Sequence, residues 1–278
     1  MNEHRLVMTG MPAAGKTTFL AALWSLGISP HANVSYRTEY IEGDVGYLNK
    51  IGLAWAECTE LGHTEFSRVE SCVLRLRDAR LGTSERLAIP DLSGEVFVHL
   101  LKERAWDSRV AGPLLETEGL LLFVNCEKVQ EPAWIFESEA PADTPTTPWS
   151  PELIPTQTQL VDLLQCICDL RSHRETRLAI MVSAWDRAAS IYADPSLWMS
   201  DHLPLLTQYL VANSLVWPNK AFGISAQGGP LPQDEARLLA MSPDERPFIV
   251  EGAASTSSAD VALSPHDLGA PVRWLVAR

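Results

Sequence analysis

Short apolar runs alternate along the chain with longer segments in which apolar residues recur at helical spacing. Runs of about four to eight apolar residues are typical of buried strands, and the periodic segments are typical of amphipathic helices. The runs predict strands at residues 5–8, 70–78, 86–89, 119–125, 178–182 and 221–224. The periodic segments predict helices at residues 17–26, 45–58, 95–106, 160–170, 203–215 and 267–278. Because strands alternate with helices, we expect one α/β layered domain over residues 1–278 with a mostly parallel sheet.

Three stretches show neither pattern. Residues 29–43 contain proline, glycine and many polar residues, and we expect a loop there. Residues from about 130 to 156 are rich in proline, acidic and hydroxyl residues, which favours a long surface insertion. Residues from about 228 to 258 are rich in glycine, proline, serine and acids, and this segment is also predicted to consist of loops.

The composition narrows the class of protein. A net charge of −13 over 278 residues argues against binding to nucleic acid or to anionic lipid. No apolar stretch approaches the roughly 20 residues of a membrane span, and the N-terminal MNEHR shows no signal peptide. We therefore expect a cytoplasmic protein with reduced cysteines in its core. These cysteines are Cys58, Cys72, Cys126, Cys166 and Cys168.

The first predicted strand leads into a phosphate-binding sequence. The pattern G-x-x-x-x-G-K-[ST], known as the P-loop or Walker A motif, is complete at residues 10–17 and is followed by a predicted helix. Its backbone N–H groups wrap a phosphate, its lysine reaches the β- and γ-phosphates, and the next hydroxyl is a ligand for Mg²⁺. The predicted nucleotide-binding residues here are Gly10, Met11, Pro12, Ala13, Ala14, Gly15, Lys16, Thr17 and Thr18.

A second motif follows the strand at 86–89. Asp91 stands where an acidic residue holds a Mg²⁺-bound water, and Gly94, three residues later, would let a backbone N–H approach the γ-phosphate. A simple β-turn is the alternative interpretation of this D-x-x-G sequence.

A threonine that completes the Mg²⁺ shell is also expected. Thr38, Thr59 and Thr64 are the candidates, and the position of Thr64 shortly before the strand at 70–78 favours it.

Two further motifs bear on the choice of base. Ser183-Ala184-Trp185-Asp186 follows a strand at the place where GTPases carry [NT]-K-x-D, whose aspartate accepts hydrogen bonds from guanine N1 and N2. Ser225-Ala226-Gln227 follows the next strand and matches the S-A-[KL] loop that presents a backbone N–H to guanine O6. The lysine of the first motif is missing, and an aspartate that caps a helix is the alternative interpretation of Asp186.

The ordered set GMPAAGKT, DLSGE, SAWD and SAQ resembles the translation-factor-related (TRAFAC) class of P-loop GTPases. More narrowly, GMPAAGKTTFLAALW, YLNKIGLAW, DLSGE and VSAWD resemble bacterial double-GTPase domains encoded beside GTPase-associated proteins in defence systems. The resemblance implies a three-layer, Ras-like α/β fold. Its sheet would have six mostly parallel strands, one of them antiparallel, with helices on both faces.

The same resemblance implies a GTP-binding switch that hydrolyses GTP slowly to GDP with Mg²⁺ and acts through a protein partner. Lys16, Glu95 and Thr64 would be catalytic, and Thr17, Asp91 and Thr64 would hold the metal. Glu95 stands where Ras-like proteins keep a water-orienting glutamine, and no arginine finger can be identified. A catalytically weak pseudo-GTPase scaffold is therefore an alternative. An ATP-dependent small-molecule kinase is a further one, although the chain lacks an arginine-rich lid sequence.

Overall fold

The computed structural model describes residues 3–59, 72–89, 100, 103, 105–106, 108–132, 153–254 and 265–277. The strands are β1 Glu3–Gly10, β2 Tyr36–Glu42, β3 Cys72–Asp78, β4 Ser84–Ile89, β5 Gly119–Asn125, β6 Arg177–Ser183, β7 Asn219–Ser225 and β8 Phe248–Ala254. The helices are α1 Lys16–Ile28, α2 Val45–Ala56, α3 Ser108–Glu116, α4 Thr156–Leu170, α5 Trp185–Ala188, α6 Pro195–His202, α7 Pro204–Ala212, α8 Glu235–Ala240 and α9 Ala270–Val276.

All eight strands form one sheet in the order β2-β3-β4-β1-β5-β6-β7-β8. The five central strands, β4 to β7 in this order, are parallel, whereas β3 and β8 run in the opposite direction. The predicted mostly parallel α/β sheet is confirmed. The expected count of six strands with one antiparallel is wrong, because the sheet gains a strand at each edge.

The edge positions of the two additional strands explain why the sequence pattern did not predict them. β2 lies within the predicted loop 29–43 and is an edge strand with mostly half-exposed or exposed side chains. β8 lies within the predicted loop region 228–258 and pairs with only one neighbour, β7. Edge strands need only one buried face, so neither carries a continuous apolar run. The same loop region also contains α8. The predicted helix 203–215 corresponds to the shorter α7, whereas α6, which ends at His202, lies before the predicted helix and was not predicted.

Alternate residues of the central strands build two cores. In β5, Leu121 and Phe123 face a cluster formed with α1, α2 and α9. Leu120, Leu122 and Val124 face a second cluster formed with α3, α4 and the helices after β6. This alternation is the period of two expected of a strand that is buried on both faces. The sheet is therefore the middle layer of three, as predicted.

The remaining predictions about the chain concern its cysteines and its insertion. All five cysteines are free; Cys58, Cys72 and Cys168 are buried, whereas Cys126 and Cys166 are half-buried. Most of the predicted insertion at 130–156 and of the predicted helix at 95–106 lies outside the described residues. Within the described part of the chain, every helix is too short or too polar to cross a bilayer.

Candidate nucleotide-binding site

The loop between β1 and α1 adopts a backbone that requires its glycines. Gly10 has φ +139°, and a Cβ there would lie 2.4 Å from the carbonyl oxygen of Phe123. Gly15, at the start of α1, has φ +84°, and its Cβ would lie 2.8 Å from Ser183 Oγ. Ala13 also has a positive φ, 55°. Larger residues at the two glycines would push the loop away from β5 and β6, so both fixed glycines of the motif have a steric role.

Lys16 crosses the loop that it follows. Its Nζ donates hydrogen bonds to the carbonyl oxygens of Gly10 at 2.8 Å and Met11 at 2.7 Å. Desolvation by burial lowers the pKa of the Lys16 ammonium to about 8. Among the described residues, no carboxylate lies within ion-pair distance of this group. The α1 N-terminus adds positive potential at the same place, so the loop has the electrostatics of an anion site.

Polar side chains from two strands tie the loop to the sheet. Ser183, the last residue of β6, donates from Oγ to the Ala14 carbonyl at 2.8 Å. Asn125, the last residue of β5, pairs with Ser183 in the β5–β6 ladder. Its Nδ2 donates to the Ala13 carbonyl at 3.4 Å. Both bonds arise because parallel strands end at the same edge of the sheet. The phosphate-binding loop is thereby fixed relative to the segment that begins with Ser183.

Asp186 and Ser225 meet across this edge. Ser225 Oγ donates to Asp186 Oδ1 at 2.6 Å and accepts a hydrogen bond from the Gly228 N–H at 3.1 Å. The other carboxylate oxygen of Asp186 lies 3.9 Å from Arg187 Nε, beyond hydrogen-bond distance. The two base motifs of the sequence therefore form one unit. Asp186 Oδ2 lies within ion-pair distance of Arg187 but accepts no hydrogen bond among the described residues, so it can accept one from a ligand.

A cleft of about 230 Å³ lies at this edge, and from the phosphate loop and the start of α1 only Gly15 and Thr18 line it. Its lining includes eight of the predicted residues, namely Gly15, Thr18, Ser183, Ala184, Asp186, Ser225, Ala226 and Gln227. Six further residues line it that the sequence motifs did not indicate: Asn125, Glu127, Arg187, Gly229, Pro230 and Leu231. A usable signal existed for the first two, because they follow an apolar strand and ligands bind at the carboxyl ends of parallel strands.

One predicted contact residue belongs to the core instead. Trp185 is fully buried and is absent from the lining of the cleft. Its indole packs so closely on β7 that a Cβ at Gly223 would lie 2.3 Å from the ring. The prediction of Trp185 as a nucleotide contact is therefore wrong for its side chain. The preceding residue, Ala184, stands at the lysine position of the motif and has φ +56°.

Of the predicted metal ligands, only Thr17 lies within the described residues. Thr17 lies in the first turn of α1, beside Lys16. Thr64, Asp91, Gly94 and Glu95 lie outside the described residues. The part of the chain that is described contains no group of three or more His, Cys, Asp or Glu residues able to hold a metal.

Two alternative threonines are placed away from the phosphate loop. Thr38 lies on β2 beside Gly27, where a Cβ would be 2.4 Å from Thr38 Oγ1, near the opposite end of α1 from the loop. Thr59 Oγ1 donates to the Ala54 carbonyl at 3.1 Å, at the end of α2. Neither arrangement supports a metal ligand. Thr64 therefore stays the prediction.

A family model described as Double-GTPase 1 matches residues 7–275. The chain belongs to this family. The resemblance to double-GTPase domains predicted from the motifs is thus confirmed, and the match extends over the P-loop and both base motifs. Membership in the Double-GTPase 1 family places the cleft in a GTP-binding type of domain.

Comparison with solved structures gives more distant similarity. A bacterial selenocysteine-specific elongation factor, EF-Sec, shows a TM-score of 0.40 and 13% identity, over 86% of this chain and 28% of that one. Roco2 RocCORdC of Methanosarcina barkeri, solved with GDP bound, shows a TM-score of 0.35 and 11% identity, over 86% and 48% of the two chains. The Double-GTPase 1 chain thus spans less than half the length of each. No curated protein matches it.

Proposed function

We propose that this chain binds GTP and GDP in the cleft between the phosphate loop and the Asp186–Ser225 unit, and hydrolyses GTP slowly. The observation that carries the proposal is the position of one short segment. Ser183 bonds to the phosphate loop through the Ala14 carbonyl, and Asp186, three residues later, offers a carboxylate to the same cleft. A nucleotide with its phosphates on the loop would thus meet an acceptor suited to guanine.

The phosphate half of the proposal rests on Lys16. Its ammonium has only carbonyl oxygens as described partners, and its pKa is lowered by desolvation. Phosphate oxygens would supply the missing negative charge and turn a costly desolvated cation into a charge-assisted contact. Thr17 would hold Mg²⁺, with Asp91 acting through water and Thr64 completing the shell. Bound Mg²⁺ would neutralise part of the phosphate charge.

The base half rests on Asp186 Oδ2, which accepts no hydrogen bond among the described residues. Guanine N1–H and the N2 amino group are two adjacent donors, which match a carboxylate, whereas adenine presents an acceptor at N1. The Ser225 hydroxyl occupies one lone pair of Oδ1 and leaves the remaining acceptor sites of the carboxylate available. Ala184 provides no side chain to cover the base. The rim instead carries Arg187, whose Nε lies 3.3 Å from Glu127 Oε1.

The residues proposed for catalysis and regulation, Glu95 and Gly94, lie outside the described residues. Glu95 would orient the attacking water, and Gly94 would contact the γ-phosphate and change position with nucleotide state. Slow intrinsic hydrolysis follows from the absence of an arginine finger identifiable in the sequence. A protein with these properties works as a switch through a protein partner, and the double-GTPase resemblance suggests a bacterial defence system as its setting.

Titration calorimetry with GTP, GDP, ATP and ADP in Mg²⁺ tests the proposal. We expect both guanine nucleotides to bind at least about tenfold more tightly than the adenine ones, since an unmatched buried polar edge costs ~1–3 kcal/mol. Phosphate release from GTP should be slow and should fall further in an Asp91→Ala variant. Equal binding of ATP and GTP would refute the base assignment. Guanine binding without any phosphate release would favour the pseudo-GTPase scaffold.

A further inference from the structure

The end of α2 contacts the loop that follows β7, although the two are about 170 residues apart in the chain. Trp55, in the last turn of α2, is fully buried, and its indole Nε1 donates to the Ala226 carbonyl oxygen at 2.9 Å. In the reverse direction, Gln227 Nε2 donates to the Trp55 carbonyl oxygen at 3.3 Å. A helix outside the phosphate and base motifs is therefore hydrogen-bonded to both residues that follow Ser225 in the base motif.

A buried arginine reinforces this junction. Arg246 Nη1 donates to the Ala56 carbonyl at 2.8 Å and lies 3.4 Å from Cys58 Sγ. Its guanidinium carbon lies 5.7 Å from the centre of the Trp55 ring. The backbone of Arg246 also approaches the loop, since a Cβ at Gly228 would lie only 2.1 Å from the Arg246 carbonyl oxygen. Arg246 thus packs between the end of α2 and the loop after β7.

The junction leads directly to the group that selects the base. Trp55 fixes the carbonyl of Ala226, and the preceding residue, Ser225, orients the Asp186 carboxylate at 2.6 Å. The Gly228 N–H holds the Ser225 hydroxyl from the other side. The Ala226 carbonyl is therefore held by α2, and the side chain of the preceding Ser225 is held between Asp186 and Gly228. A tight loop in this position keeps both the Ala226 N–H and the carboxylate in place before a ligand arrives.

We infer that Trp55 is a positioning residue for base selection: its indole N–H fixes the Ala226 peptide and, through Ser225, the direction of the Asp186 carboxylate. The inference rests on the proposed function and adds a residue from α2 to its specificity. Trp55 itself is absent from the lining of the cleft and contacts the site only through Ala226 and Gln227, which line it. Its removal should therefore reduce the preference for guanine while contacts to the phosphates remain.

The test is the ratio of GDP to ADP affinity in a Trp55→Phe variant, measured by calorimetry on the full chain. Phenylalanine retains an aromatic ring in the core and removes only the N–H donor. We expect the GDP affinity to fall about tenfold and the ADP affinity to stay within about twofold of the unaltered protein, because both ligands share the phosphate loop. A purely structural role would lower both affinities together and leave their ratio unchanged.

Trp217→Phe is the matched control. Trp217 is also almost fully buried, and its Nε1 donates to the Tyr209 hydroxyl at 3.4 Å, but it lies before β7, at the opposite end of this strand from Ser225. We expect this variant to keep the full GDP preference. If Trp55→Phe fails to fold, Arg246→Met provides a second variant, because it keeps the stem and removes the guanidinium that joins α2 to the loop.

The outcomes separate this inference from the proposed function. If the unaltered protein prefers GDP and folded Trp55→Phe keeps the full preference, the inference is overturned and the proposed function stands. With Trp55→Phe unfolded, an unchanged ratio in Arg246→Met overturns it in the same way. If the unaltered protein shows no preference for GDP, the proposed function fails and the inference fails with it. A loss of preference in Trp55→Phe or Arg246→Met that is absent from Trp217→Phe supports both.

Discussion

A charged group is buried at each end of the sheet, but the two groups differ in the partners that compensate their charge. At the amino end of the parallel strands, Asp78 is 1% exposed, accepts hydrogen bonds from the N–H groups of Arg80 at 2.7 Å and Leu81 at 2.9 Å, and faces the Arg273 guanidinium at 3.5 Å. At the carboxyl end, Lys16 has two carbonyl oxygens and, among the described residues, no opposite charge.

This difference indicates that Asp78 has a structural role, whereas Lys16 is suited to bind an anionic ligand. Asp78 receives backbone donors from its own turn and a cation from α9, so the fold itself compensates its charge. Lys16 has dipoles but no described counter-ion, and desolvation lowers its pKa. A desolvated cation without an anion is costly, and it persists where a ligand supplies the anion. The comparison predicts that changes at the two ends affect different properties.

The largest expected effect is at the carboxyl end. Lys16→Ala removes the side-chain cation of the loop, and we expect GTP and GDP affinity to fall at least about a hundredfold. The fold should persist, since the variant loses only two hydrogen bonds to loop carbonyls. Calorimetry and a thermal melt measure the two properties. Undiminished nucleotide affinity in folded Lys16→Ala would show that the buried charge at the carboxyl end does not serve ligand binding.

The opposite pattern is expected at the amino end. Asp78→Ala leaves Arg273 and two backbone N–H groups without their partner, so the free energy of unfolding should fall by about 3 kcal/mol. Nucleotide affinity should be unchanged below the unfolding temperature. Glu42→Ala is the control, because its pair with Arg86 at 2.8 Å is exposed and should contribute less than about 1 kcal/mol. Denaturant titration distinguishes the two variants; equal losses would show that Asp78 has no special role.

A third substitution, at the carboxyl end, tests recognition of the base rather than of the phosphates. Asp186→Asn should weaken GTP by at least about tenfold and favour xanthosine triphosphate, whose altered edge matches an amide. The Ser225 hydroxyl can still donate to the amide oxygen, so the loop should keep its arrangement. Competition binding with both triphosphates measures the exchange. An unchanged order of affinity would place Asp186 outside the base site.

The smallest expected effect is a pH dependence. The pKa of Lys16 in the nucleotide-free protein is about 8, and bound phosphate should raise it, so only the protonated form binds well. Affinity for GDP should therefore be constant well below pH 8, about half its maximum at pH 8 and about tenfold lower at pH 9. The stability of the nucleotide-free protein should change in the opposite sense, increasing from pH 8 toward 10, because the unfolded chain then binds more protons.

A permanently charged variant controls for titration of the base itself, since guanine also loses a proton in alkaline solution. Lys16→Arg should bind more weakly but should lack the part of the pH dependence that Lys16 causes. Calorimetry from pH 7 to 9.5 on both proteins gives the difference. Identical pH profiles for the two would show that Lys16 does not take up a proton with the ligand.

The sequence predicted those parts of the site that follow apolar strands. The P-loop, Asp186 and Ser225 each stand directly after a buried strand, and a parallel sheet brings such positions to one edge. The edge strands β2 and β8 were not predicted, because half-exposed strands lack an apolar run. Trp185 was assigned to the site although its side chain is directed into the core. The contact between Trp55 and Ala226 joins residues 171 positions apart, and no local pattern indicates it.

The most direct test of the account is amide hydrogen exchange with GDP, with ADP and without nucleotide. Local protection reports which segments a ligand orders. We expect GDP to protect three segments together: the phosphate loop at 10–18, the segment 183–187 and the loop 225–231. ADP at saturating concentration should protect the phosphate loop only, and the amino-end turn at 78–84 should be unchanged in both. Protection of the phosphate loop alone by GDP, or equal protection of all three segments by ADP, would contradict a guanine site at this end of the sheet.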